Sequence, residues 1–120
     1  MIRQQNEGLM EVEQIGEVTV AKLTARHLLD EEKIQRLGKQ LRTLGDQVGH
    51  RPLVLNFGTV ERLSTELLGK LVALQRKMQD KGGRLTLCAV NPHVYEVFKI
   101  LKLSHVLNIC ADEQEALQQF

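Results

Sequence analysis

Apolar and polar positions follow two different rhythms along this 120-residue chain. Residues 9–15, LMEVEQI, and 18–23, VTVAKL, flank Gly16-Glu17. Val18, Val20 and Leu23, with β-branched Thr19 among them, suit a strand, and glycine suits the turn, so the pattern predicts a hairpin. From Asp30 the period changes. Ile34, Leu37, Leu41, Leu44 and Val48 recur at the spacing of one helical face. Asp30, Glu31 and Glu32 put negative charge at the start of that helix, where its dipole favours it. Lys39 and Arg42 lie towards the other end, and Gly45 and Gly49 read as stop signals.

Arg51-Pro52 then leads into Leu53-Val54-Leu55-Asn56-Phe57, a run short and apolar enough for a strand buried on both faces. Residues 58–63 read as a loop. Ser64 and Thr65 open a second helix whose apolar face is Leu67, Leu68, Leu71, Val72, Leu74 and Met78, with Lys70, Arg76, Lys77 and Lys81 facing away. Gly82-Gly83 ends it. Residues 84–90 form the next strand, and Asn91-Pro92 places proline at the first position of a third helix carrying Val94, Val97, Phe98 and Leu101. A last strand at 106–109 and a terminal helix at 111–119 follow. The predicted order is β-β-α-β-α-β-α-β-α, a single α/β domain with a mixed, mostly parallel sheet, a leading hairpin and right-handed crossovers. Residues 1–8 are expected to be a polar N-terminal tail and 9–120 the folded domain.

Composition narrows the function. Aromatic residues make up 3% of the chain and tryptophan is absent, so the core is aliphatic and base-stacking platforms are missing. Sixteen basic residues against fifteen acidic ones leave a net charge of +1, without the basic excess of a dedicated nucleic-acid binder. No apolar run approaches the ~20 residues of a membrane span, and Met1 to Gly8 lacks the apolar stretch of a signal peptide. No direct nucleic-acid contact and no membrane insertion are expected. Cys88 and Cys110 match no metal-ligand spacing; both read as inert thiols, Cys88 buried within a strand and Cys110 just after one, in a reduced, cytoplasmic setting.

Catalytic constellations do not emerge. The KGGR segment at 81–84 follows a helix and precedes a strand, the reverse of a phosphate loop. His27, His50, His93 and His105 form no paired ligand spacing. The acidic pairs Glu31/Glu32 and Asp112/Glu113 open helices, where the dipole explains them. A non-enzymatic protein without cofactor or metal is the expectation. The remaining candidate is Ser64-Thr65-Glu66, at a helix start beside a loop. A hydroxyl there caps a free backbone N–H. It is also a place where a phosphate is tolerated by the helix yet adds charge to an exposed tip.

From about Leu9 to Leu117 the chain resembles the STAS domain of bacterial anti-sigma factor antagonists. Leu53-Val54-Leu55-Asn56-Phe57 is similar to the central strand, and Leu63-Ser64-Thr65-Glu66-Leu67-Leu68-Gly69 occupies the place of the Asp-Ser-Ser-Gly-Leu-Gly segment. The segment from Gly82 through Asn91-Pro92, then Val97-Phe98, Leu103 and the closing residues 111–117, also fit. The resemblance implies a regulator of transcription by partner switching: it binds an anti-sigma factor of the serine/threonine kinase type, so freeing a sigma factor, and is released when phosphorylated at the start of the second helix. By position the acceptor is Thr65, with Ser64 second. The partner-binding residues are expected to be Asn56, Thr59, Arg62, Ser64, Thr65 and Glu66, on a monomer or weak dimer. The chain departs from the pattern at Ser64 for Asp, Glu66 for Ser and Leu67 for Gly, and Ala25-Arg26-His27-Leu28 replaces a Gly-x-Leu-Asp lead into the first helix. An unphosphorylated STAS module that binds its partner constitutively, as a scaffold or lipid-transport subunit, is the alternative. A small enzyme or nucleotide-binding protein on the same fold would need a phosphate loop or catalytic constellation, and neither is visible.

Overall fold

A computed structural model describes residues 8–120. The expected tail at 1–8 therefore lies, apart from Gly8, outside the described residues. The hairpin forms as the pattern requires: β1 (Met10–Ile15) pairs antiparallel with β2 (Val18–Leu23) around Gly16, whose φ is +60°. β4 (Pro52–Asn56), β6 (Arg84–Cys88) and β7 (Asn108–Cys110) add in parallel, giving a five-stranded sheet in the order β1-β2-β4-β6-β7.

Strand alternation sends side chains into two cores. Leu53 and Leu55 of β4 with Leu85 and Leu87 of β6 enter the larger core. There they meet α1 (Glu31–Val48), α2 (Thr65–Asp80) and α3 (Pro92–Ile100). Val54 and Cys88 point the other way, into a smaller core with Val18, Val20, Cys110 and Ala116. Ala116 belongs to α4 (Glu113–Leu117), the short helix on that side. Leu53, Val54 and Leu55 are all fully buried, as the apolar run implied.

All five predicted positions on the apolar face of α1 are buried, and Asp30 caps its start by accepting the Lys33 N–H. Several expectations need correction. Gly45 does not stop α1: it lies inside the helix, so close to α2 that an added Cβ would sit 2.8 Å from Leu74 Cδ1, while Gly49 with φ +61° is the true stop. The basic residues of α2 are not all turned to solvent. Lys77 and Lys81 both reach Asp46 of α1, at 2.9 and 2.6 Å, and Lys70 lies over Gly38. Strand β6 ends at Cys88 because Ala89 takes a left-handed φ of +58°. Leu101 is exposed at the C-cap of α3 rather than buried. The last strand begins at Asn108, not 106, since a 3-10 turn (Leu103–His105) intervenes, and Cys110 is its final residue. The terminal helix is shorter than 111–119 because Asp112 caps it, accepting the Glu115 N–H. No helix among the described residues is long and apolar enough to cross a membrane.

Residues 58–63, read as loop, end in a strand. β5 (Arg62–Leu63) pairs in parallel with β3 (His27–Leu28), His27 opposite Arg62 and Leu28 opposite Leu63. This two-stranded sheet sits apart from the main one and delivers the chain to the start of α2.

Candidate functional site

The candidate site is the segment from Asn56 to Glu66, where the chain leaves the C-terminal edge of the sheet and enters α2. Ligands and partners gather at that edge in open α/β sheets because the loops there are free to vary over a rigid frame.

The segment is anchored from below and from both sides. Phe57 and Val60 are buried and hold its middle in the larger core. The Phe57 N–H donates to the Cys88 carbonyl at 2.9 Å. On one flank the Arg26 carbonyl accepts the Glu61 N–H at 2.7 Å, and the Leu28 carbonyl accepts the Ser64 N–H at 2.9 Å. On the other, the Asn91 side-chain amide donates to the carbonyls of Val60 and Glu61 at 2.9 and 3.1 Å, while its oxygen caps α3 by accepting the Val94 N–H. One asparagine thus couples the loop to the start of α3. The Arg26–Glu61 ion pair at 3.6 Å adds little, since both side chains are mostly in water.

Asn56 works from beneath this segment. Its oxygen accepts the Gly58 N–H at 2.8 Å, an Asx turn that shapes the loop, and its amide donates to Glu113 of α4 at 2.8 Å. Each of its polar atoms therefore makes one internal bond. Thr59 is half-buried at the loop's tip and Arg62 is exposed on β5.

Ser64 and Thr65 divide their roles. Ser64 has extended backbone angles and its hydroxyl accepts the Glu66 N–H at 3.1 Å, so it is the N-cap of α2. Thr65 is the first helical residue and is exposed, and none of the described residues is hydrogen-bonded to its hydroxyl. Glu66 leans towards α1: its carboxylate accepts from Gln35 at 3.0 Å, and Gln35 in turn accepts from Lys70 at 3.3 Å. The carboxylate next in sequence to Thr65 is thus drawn to a neighbouring helix.

Beside these residues lies a cleft of about 260 Å³ that residue patterns alone do not reveal. Leu29 and Leu63 form one wall, His93, Val94 and Val97 of α3 the other, and Glu61 and Arg62 the rim. Leu29 is 53% exposed, a large apolar side chain left in water at the mouth. Asn91-Pro92 signalled where α3 begins, but nothing local indicated that this helix would face residues 61–63. A second cleft of about 290 Å³ runs between α1 and α2 and meets the segment only at Glu66. Among the described residues no three His, Cys, Asp or Glu side chains group to hold a metal ion. The arrangement offers a shaped, partly apolar surface beside an exposed hydroxyl.

Comparison with known proteins agrees with this picture. The STAS domain family model matches residues 9–116. The chain is 28% identical over 72 residues to BtrV of Bordetella bronchiseptica, described as an anti-sigma factor antagonist. That match covers 60% of this chain and 62% of BtrV, less than two thirds of the curated relative. An anti-sigma factor antagonist (STAS) domain protein from Planctomyces limnophilus superposes with a TM-score of 0.81 at 21% identity, covering 92% of this chain and 95% of that one. The Bacillus cell fate determinant SpoIIAA in its phosphorylated form superposes with a TM-score of 0.67 at 20% identity, covering 92% and 97%. At such identities the superpositions establish a shared fold.

Proposed function

The chain belongs to the STAS domain family, and from that premise we propose that it is an anti-sigma factor antagonist that works by partner switching and is released by phosphorylation at Thr65. The descriptions of BtrV and of the Planctomyces protein support the antagonist reading. The observation that carries the switch is the split between Ser64 and Thr65. The cap is already made by Ser64, so the exposed Thr65 hydroxyl is available to a kinase without loss of helix structure.

A phosphoryl group on Thr65 would stand at the N-terminus of α2, where the dipole favours an anion, so the fold would survive the modification. The partner would not. It would dock across Thr59, Arg62, Ser64, Thr65 and Glu66, with an apolar side chain seated between Leu29 and Val97, and a doubly charged group buried in that contact is costly. Asn56 would contribute from beneath, by shaping the loop. The partner is an anti-sigma factor of the serine/threonine kinase type, the setting is cytoplasmic, and the unit is a monomer or weak dimer with one folded domain over 9–120. The activity is binding rather than catalysis.

The test uses Thr65→Ala, which a kinase cannot release, to capture the partner from the native cell. The captured kinase with Mg-ATP should then add one phosphoryl group to the wild-type chain at Thr65. Thr65→Asp should bind more than tenfold more weakly, with an unchanged circular dichroism spectrum. If Thr65→Asp binds like wild type and no phosphate is found, the protein is a constitutive STAS module and the switch is refuted.

A further inference from the structure

The smaller core holds the chain's two thiols side by side. Cys88 ends β6, Cys110 ends β7, and they are register partners in adjacent parallel strands. Register partners project from the same face, and both side chains lie in the cluster beneath α4 with Val54 and Ala116. Adjacent strands run about 4.8 Å apart, inside the span of roughly 4.4–6.8 Å between the Cα atoms of disulfide-bonded cysteines. β7 is a three-residue edge strand and Cys110 is its last residue, so the small approach of the two Cβ atoms that a bond requires falls where the strand ends.

We propose that Cys88 and Cys110 form a reversible disulfide, a modification site closed by a disulfide oxidant such as oxidised glutathione when α4 lifts. The helix is the gate. It spans five residues, with Ala116 fully buried over the thiols, and the side-chain amide of Gln119 lies 2.8 Å from Cys110 Sγ. While it is closed, burial with the nearby carboxylates of Glu113 and Asp112 pushes Cys88 up to about 12, and burial raises Cys110 as well. Both shifts disfavour the thiolate, the form that attacks a disulfide, while the helix is closed. A helix of five residues, little more than one turn, is the kind of element that opens locally. Once it opens, Cys110 loses its proton to solvent and its thiolate attacks one sulfur of the oxidant, expelling a glutathione thiolate. Cys88 then gives up its proton, attacks the Cys110 sulfur of the mixed disulfide and expels the second glutathione. Two protein thiols are oxidised and one glutathione disulfide is reduced to two thiols. Opening also parts Glu113 from Asn56, so the oxidation event passes through the residue that shapes the candidate site.

The experiment exposes the intact protein to oxidised glutathione at mildly alkaline pH, alkylates it under denaturing conditions and maps the peptides. The expected result is a monomer that has lost two hydrogens, carries no alkylation and yields a Cys88–Cys110 linked peptide, restored to two thiols by dithiothreitol. Ala116→Gly, which weakens α4, should form the link several-fold faster. Wild-type protein that keeps both thiols overturns the proposal. So does a stable glutathione adduct on Cys110 that never resolves onto Cys88, or a rate unaffected by Ala116→Gly. None of these readouts involves Thr65 or a binding partner, so they stand or fall apart from the phosphorylation switch.

Discussion

Asn56 donates its side-chain amide to the Glu113 carboxylate across 2.8 Å, tying the end of β4 to the first turn of α4. The same side chain accepts the Gly58 N–H. One residue therefore sets the loop of the candidate site and the seat of the terminal helix. Asn56→Ala should cost about 1–2 kcal/mol, two modest hydrogen bonds at a half-buried position. Hydrogen exchange should quicken at Gly58 and in α4 together. Faster exchange at Gly58 alone would show that α4 is held independently.

Leu71 points from α2 into the larger core and is fully buried. Leu71→Ala removes methyl groups that the surrounding aliphatic side chains cannot replace, with an expected loss of ~2–5 kcal/mol by denaturant titration. A loss below ~0.5 kcal/mol would mean that this helix face is not packed as described.

Two glycines of α1 should respond in opposite ways to alanine. At Gly45 a new Cβ would sit 2.8 Å from Leu74 Cδ1, inside the buried contact between α1 and α2, and overpacking there should cost ~1–3 kcal/mol. At Gly38 the nearest atom is the Lys70 Cδ at 2.7 Å, on a flexible side chain that can swing aside. Gly38→Ala should then be neutral or stabilise by up to ~1 kcal/mol through helix propensity. Thermal melts of the two variants decide the matter directly.

Those glycines also show what a linear pattern conceals. The apolar period of α1 and the run at Leu53–Leu55 were legible because each burial choice repeats along the chain, so neighbours reinforce one another. Gly45 looked like a terminator because its reason for being glycine lies on another helix. β3 and β5 carry no such pattern because two-residue strands have no period at all; their pairing is set by where the Arg26 and Leu28 carbonyls lie. The last strand starts later than its apolar residues suggest because Val106 is apolar yet exposed, whereas polar Asn108 pairs with Thr86 of β6 through both register and side chain. At the candidate site, Ser64 and Thr65 were visible as a helix opening. The long-range ties of Asn91 and the cleft beside Leu29 depend on folding and left no local trace.

Asp46 gives the fold a pH-sensitive clasp between α1 and α2. Hydrogen bonds from Lys81 and then Lys77 lower its carboxyl from the usual 3.8 to about 2. A folded value below the unfolded one means that the contribution is present above about pH 4 and is lost as pH falls towards 2. Asp46→Asn should therefore be less stable than wild type at neutral pH, and the gap should close over that acidic window. Because the carboxylate is half-exposed, added salt should shrink the gap too. A gap that is constant from pH 7 to pH 2 would show that the lysines do not hold this carboxylate in solution.

Ser64 and Thr65 are adjacent hydroxyls with different duties, and stability measurements separate them before any partner is known. Ser64→Ala removes the acceptor of the Glu66 N–H at the N-cap and should cost ~1 kcal/mol. Ser64→Asp keeps an acceptor there and adds charge favourable to the dipole, so it should recover most of that loss. Thr65→Ala removes an exposed hydroxyl at the first helical position and places a better helix former there, so it should change stability by less than ~0.5 kcal/mol. The exposed hydroxyl of Thr65 then serves binding or modification rather than folding, which is what the proposed switch needs. If Thr65→Ala instead costs as much as Ser64→Ala, Thr65 shares the cap, and its phosphorylation would disturb α2 itself rather than only the surface that it presents.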